Sequence, residues 1–150
     1  MKWLSLIFVL SVSLVRAEEY SPMTLGDATL LPKDKAVVLI TEISNCPFCS
    51  KIKQEFLGPI SKAPEFGPYI SVVSLNLESQ AMLTDFNGEV LSQDQWASKM
   101  GVDFSPTILI IDPNSGRRLA DDLVGFTTPD FYGFYLEQNI QRGMRFVSLE

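Results

Sequence analysis

Histidine is absent from this chain of 150 residues, and cysteine occurs only twice. Without imidazole there is no histidine general base and no imidazole metal ligand. Two thiolates fall short of a four-cysteine zinc site, and carboxylates would have to complete any other. No metal and no cofactor are expected. Basic residues are also scarce: 12 Lys and Arg stand against 18 Asp and Glu, for a formal charge of −6 and a pI near 4.6. That balance argues against a nucleic acid partner, whose phosphates need cationic surface. What is plentiful is apolar matter: 46% hydrophobic residues, with 10 Phe, 4 Tyr and 2 Trp, enough for the core of a single domain.

The N-terminus reads as an address. Lys2 gives a short positive region, and the uncharged run Trp3 to Val15 has 13 residues, too few to span a bilayer comfortably. Val15-Arg16-Ala17 then fits a signal-peptidase site, so residues 1–17 are expected to be a signal peptide and 18–150 the mature domain. An uncleaved anchor is the alternative. Loss of Lys2 and Arg16 with the leader lowers the charge by two, to −8.

Past a polar lead-in (18–35), Ala36 to Ile43 is nearly continuous in apolar and β-branched residues, as in a strand buried on both faces. Ile52, Phe56, Leu57 and Ile60 recur at helical spacing, with Pro59 expected to kink that helix or end its first half. Tyr69 to Leu77 is a second strand, and Asn87-Gly88 between apolar residues predicts a hairpin. Ser92 and Gln95 form a capping-box pattern for a short helix that Gly101 ends. Thr107 to Ile111 is a third strand, and Leu119 to Val124, interrupted by Asp121 and Asp122, an edge strand. Thr128 is expected to cap a last helix whose first residue is Pro129. The fold class is α/β: a mixed sheet flanked by helices, with a small hairpin inserted before the second helix.

Chemistry concentrates at Cys46-Pro47-Phe48-Cys49, directly after the first long strand and at the start of a helix. A helix N-terminus presents free N–H groups and the positive end of the dipole, which favour thiolate over thiol at Cys46. Cys49 lies one turn on, placed to close a disulfide and to resolve a mixed disulfide formed at Cys46. A purely structural bridge would close too small a loop to constrain the unfolded chain much. Metal binding lacks further ligands, and two idle thiols are out of place in an oxidising compartment. Ser105-Pro106-Thr107 adds a second signal, because proline at a strand start suits a special turn or a cis bond.

Strand, CPFC, helix, strand, helix, SPT, edge strand with Gly125 and closing helix together resemble the thioredoxin fold over about residues 30–141. The resemblance implies that Cys46 is the nucleophile, Cys49 the resolving thiol, and Ser105-Pro106 a cis-proline edge that docks substrate backbone beside Pro47 and Phe48. The chain departs from cytosolic thioredoxins in carrying Pro-Phe between the cysteines, Asn45 before the first, and Ile40 where a buried acid is expected. Glu42 is the nearest carboxylate in sequence, read either as proton acceptor for Cys49 or as a solvated strand-end charge. Lys51 and Lys53 read either as positive potential near the thiols or, the favoured reading, as solvent-facing residues of the helix. Exported thioredoxins of bacterial sulfur oxidation are similar in C-P-[YF]-C, in the glutamate at Glu42, and in the hairpin Thr84-Asp85-Phe86-Asn87-Gly88.

The expected function is an extracytoplasmic thiol–disulfide oxidoreductase, located in the bacterial periplasm, that reduces protein disulfides. The resemblance implies protein disulfide substrates and a membrane-embedded electron donor. Two alternatives differ in kind. One is an oxidase that donates its disulfide, which the missing histidine in the dipeptide argues against. The other is a binding module without catalysis, which the intact CPFC argues against.

Overall fold

β-branched runs set the centre of the sheet. The computed structural model describes residues 18–149, so the expected leader, 1–17, lies outside the described residues. The strands are β1 (Met23–Thr24), β2 (Ala36–Glu42), β3 (Ile70–Asn76), β4 (Met82–Thr84), β5 (Val90–Ser92), β6 (Thr107–Ile111) and β7 (Leu123–Val124). Five of them form one mixed sheet in the order β1-β3-β2-β6-β7, with β4 and β5 a separate two-stranded hairpin. β1, β3 and β2 run parallel, while β6 and β7 are antiparallel to their neighbours.

Alternation along the central strands feeds two apolar layers. Val37 and Leu39 of β2, with Leu109 and Ile111 of β6, face Trp96 and Ala97 of helix α3 (Gln93–Lys99) and Phe86 of the hairpin loop. Val38 and Ile40, with Ile108 and Ile110, face the other side, against Ile52 and Leu57 and against Tyr132, Leu136 and Ile140 of helix α4 (Pro129–Val147). Both faces are covered, which is why β2 lacks the polar alternation of a half-exposed strand.

The CPFC helix differs from its expected form. α1 (Pro47–Ile52) passes into a π-helical turn, Lys53–Leu57, and on into α2 (Gly58–Lys62). Pro59 has no N–H and its ring crowds the carbonyl four residues back. The chain accommodates it by widening one turn, where Gly58 N–H bonds to Lys53 O, instead of ending there. Gln54, within that turn, holds the start of the described chain by two 2.8 Å bonds to the backbone of Tyr20.

Other expectations shift in detail. The hairpin turn is not a two-residue Asn-Gly loop: Asp85 N–H bonds to Glu89 O across five residues, and only Gly88 has positive φ (82°). The Asp85 carboxylate organises this loop by accepting from the N–H groups of Asn87 and Glu89. The expected edge strand from Leu119 shortens to Leu123–Val124, because the Asp121–Asp122 segment leaves the ladder. Thr128 precedes α4 with φ 48°, and its side chain makes no capping bond. At α3 the capping box is present, with Ser92 N–H bonded to Gln95 Oε1. Among the described residues no helix is long and apolar enough to cross a membrane.

Candidate redox site

β2 delivers the site. After Glu42 the chain turns through Asn45, at φ 55°, and enters α1 with Cys46 as its N-cap. The turn is held from the segment just after β3: Ser44 N–H donates to the Glu78 carboxylate at 3.0 Å, and Leu77 N–H to Glu42 O at 2.9 Å. The Ser44 hydrogen bonds keep the Glu78 carboxyl below its usual pKa. Pro47 occupies the first helical position, where its missing N–H goes unused.

Cys46 and Cys49 form a disulfide. The two sulfurs are not equivalent. Cys46 is half-buried at the surface, and its Sγ accepts the Cys49 N–H at 3.2 Å. Cys49 is 1% exposed.

The Ser105–Pro106 peptide bond is cis, and the pair sits against the disulfide. Ser105 Oγ lies 3.2 Å from Cys49 Sγ and 3.9 Å from Cys46 Sγ, and donates to Thr41 O at 3.2 Å. Pro106 is buried, and its carbonyl accepts Gly125 N–H at 2.7 Å, tying the loop to the start of the segment after β7. Thr41 clamps the loop from below. Its fully buried hydroxyl donates to Phe104 O and accepts Thr107 N–H, each at 3.0 Å.

Phe48 is 57% exposed and its ring rests 6.0 Å from that of Phe126, which in turn packs on Phe56 and Tyr132. Phe104, next to Ser105 in the chain, and Val124 are also exposed. The Tyr132 hydroxyl beneath has no hydrogen-bond partner among the described residues, and burial pushes its pKa upward.

Glu42 is neither free nor solvated. Its carboxylate pairs with Lys53 of the π turn at 2.7 Å, both side chains largely covered, and makes no hydrogen bond to either sulfur. Lys53 is thus not the solvent-facing residue expected of it. Lys51 is half-exposed, pairs with Glu55 and lies 5.6 Å over the Phe126 ring. Ile40 is fully buried in apolar surroundings, so the core offers no acid at that position.

The structure thus brings Cys46, Pro47, Phe48, Cys49, Ser105 and Pro106 into one site, with Cys49 and Pro106 beneath the surface and Glu42 on the strand behind. Sequence reasoning missed Thr41, Glu78 and Phe126. A lone hydroxyl in the apolar run Ala36–Ile43 was the available signal for Thr41; Glu78 and Phe126 carried none.

A family model for the thioredoxin-like domain matches residues 27–139. No curated protein sequence matches the chain. Solved structures share the fold at low identity. A thioredoxin of Malassezia sympodialis is 22% identical, with TM-score 0.50 over 74% of this chain and 79% of its own. A thioredoxin-like protein of Clostridium perfringens is 16% identical, with TM-score 0.50 over 86% and 90%. The periplasmic thioredoxin SoxS of Paracoccus pantotrophus is 18% identical, with TM-score 0.49 over 72% and 98%. With most of its length inside the matching model and a Cys-x-x-Cys pair at disulfide distance, this chain belongs to the thioredoxin-like domain family.

Proposed function

We propose that this protein is an extracytoplasmic oxidoreductase that reduces disulfides of client proteins through Cys46 and Cys49. The observation that carries the reading is the inequality of the two cysteines, Cys46 half-buried beside exposed Phe48 and Cys49 1% exposed. In the reduced protein the Cys46 thiolate attacks a client disulfide, forming a Cys46–client bond and releasing the first client thiol. Cys49 then attacks Cys46 Sγ, so the enzyme pair is oxidised and the client gains two electrons and two protons. The edge formed by half-buried Ser105 and buried Pro106 takes the client backbone, and Pro47 and Phe48 take its flanking side chains.

Glu42 enters this scheme as a proton acceptor only when its pair with Lys53 opens. The leader-like segment from Lys2 to Ala17 supports export, and a periplasmic location follows from the same reading. A reductase in an oxidising compartment needs electrons from elsewhere, hence a membrane-embedded donor.

Two measurements test this. Cys49→Ser is expected to accumulate mixed disulfides with disulfide-bonded clients, and Cys46→Ser to form none; equal trapping by both variants overturns the nucleophile assignment. The reduction potential of the pair is expected near thioredoxin's roughly −270 mV, whereas a value near roughly −120 mV makes the protein a disulfide donor.

A further inference from the structure

Resolution has a physical difficulty in this chain. Cys49 must ionise to attack, and a thiol that is 1% exposed resists ionisation because burial disfavours the charged form. A buried carboxylate would relieve this, yet Ile40 occupies that place and Glu42 is held by Lys53. The other charged groups of the surrounding elements are Lys51 on α1, Glu78 and Asp103 on the adjoining loops, and Asp122 before β7. None of them hydrogen-bonds to either sulfur among the described residues. The side-chain polar atom that does touch Cys49 is Ser105 Oγ, at 3.2 Å.

Its second partner gives the clue. Ser105 Oγ is also 3.2 Å from Thr41 O, so one hydroxyl proton faces two acceptors at equal distance. Turning from one to the other needs only rotation about the Cβ–Oγ bond, with no movement of heavy atoms. While the disulfide is closed, the sulfur is a weak neutral acceptor and the carbonyl is the better one. Once Cys49 carries charge, the thiolate is the stronger acceptor. Thr41 O lies 3.9 Å from Cys49 Sγ as well, where it is placed to accept from the protonated thiol.

We propose that the Ser105 hydroxyl is a catalytic hydrogen-bond donor that switches from the Thr41 carbonyl to the Cys49 thiolate during resolution, standing in for the missing buried acid. The inference rests on the redox reading above. In balanced form, Cys49–SH with Cys46–S–S–client becomes Cys46–S–S–Cys49 with client–SH. The Cys46–client bond breaks as the Cys46–Cys49 bond forms, the proton of Cys49 leaves to water, and the departing client thiolate regains one from water.

The kinetic signature is specific. Loss of a hydrogen bond to an anion raises the thiol pKa by about one unit, which cuts the thiolate fraction about tenfold below the titration. Nucleophilicity rises with pKa by a Brønsted factor of about 0.4–0.5. For Ser105→Ala, resolution is therefore expected to slow about three- to fourfold near neutral pH and to run about threefold faster at pH above both titrations. Simple damage to the loop slows every pH alike.

The test is stopped-flow reaction of the reduced full chain with an aryl disulfide (dithiobis-nitrobenzoate). The first thiol release reports attack by Cys46 and scales with reagent concentration, and the second reports resolution by Cys49 and does not. Ser105→Ala is expected to shift the pH profile of the second release upward with the crossover just described, and Ser105→Thr to restore it. A second release that keeps the native profile in Ser105→Ala, or slows equally at all pH values, overturns the inference. If the native protein shows no concentration-independent second release, the redox reading itself has failed.

Discussion

Helix α4 carries two glycines that face the rest of the molecule at different distances, and the same substitution is expected to have opposite signs at the two. An alanine Cβ at Gly143 would stand 2.4 Å from Ile110 Cγ2 and 3.4 Å from Ala36 Cβ. Carbon atoms pack best at about 3.5–4.0 Å, so α4 and β6 would have to part by roughly an ångström. Ile110 is 1% exposed and β-branched, with no free rotamer to take up the strain. At Gly133 the Cβ would meet Phe56 Cε1 at 3.2 Å, the edge of a ring that can tilt by a few tenths of an ångström.

Both changes gain about 0.8–1.0 kcal/mol of helix propensity. Overpacking at Gly143 costs about 1–3 kcal/mol, and the size of this clash places it in the upper half. Gly143→Ala should therefore destabilise by about 1–2 kcal/mol and Gly133→Ala stabilise by about 0.5 kcal/mol. At roughly 3–5 °C per kcal/mol for a domain of this length, Tm falls by about 3–10 °C in the first and rises by about 2 °C in the second. Thermal unfolding of the oxidised chain from Glu18, followed by far-ultraviolet circular dichroism, gives both numbers. Ile110→Leu removes the Cγ2 branch and should couple favourably to Gly143→Ala. A Gly143→Ala protein as stable as the native one would refute the close approach of α4 to β6.

Two further outcomes follow from polar groups under the surface. Thr41→Val keeps the shape but removes the acceptor for Thr107 N–H, and a buried donor left unpaired costs about 1–3 kcal/mol, readable as a lower urea midpoint at unchanged m. Phe104 O keeps its bond from Thr107 Oγ1, so a loss larger than that would point to wider collapse of the loop. Burial acts to raise the Asp85 carboxyl, but the Glu89 N–H, Lys99 and the Asn87 N–H outweigh it and hold the pKa low. Its stabilisation is complete above about pH 4, the ordinary carboxylate value, and is lost as pH falls through the depressed one. Asp85→Asn should accordingly flatten the decline of Tm on acidification, and an unaltered decline would remove Asp85 from the account.

The central strands were legible because their apolar runs have no other explanation: Ala36–Ile43 was expected and Ala36–Glu42 is observed, and Thr107–Ile111 matches end to end. β1 was not legible, since two residues have no period, and its place beside β3 is a matter of tertiary pairing. The π turn escaped because proline announces a disturbance without saying whether a helix ends or widens. At the site, the three-residue spacing of the cysteines was explicit, but registry was not. Thr41 meets Thr107 only because β2 and β6 pair in that register, and no local pattern brings Lys53 across to Glu42. Contacts made by sheet pairing and helix docking are invisible to a reading that moves along one chain.

Cys46 is at once one half of the disulfide and the N-cap of its own helix. The chemical state of the pair and the folding of α1 therefore form two sides of one thermodynamic square. Its corners are the folded and unfolded chains, each oxidised and reduced, and the work around it must vanish. The difference in unfolding free energy between the two redox states thus equals the difference in potential between the folded pair and the same cysteines in an unfolded chain. About 30 mV corresponds to about 1.4 kcal/mol for this two-electron couple. If the reduced protein melts later, the fold draws electrons in and acts as an oxidant; if the oxidised protein melts later, the fold pushes them out. A pair of melting curves, one with the disulfide closed and one with it open, consequently reads the direction of electron flow without any client.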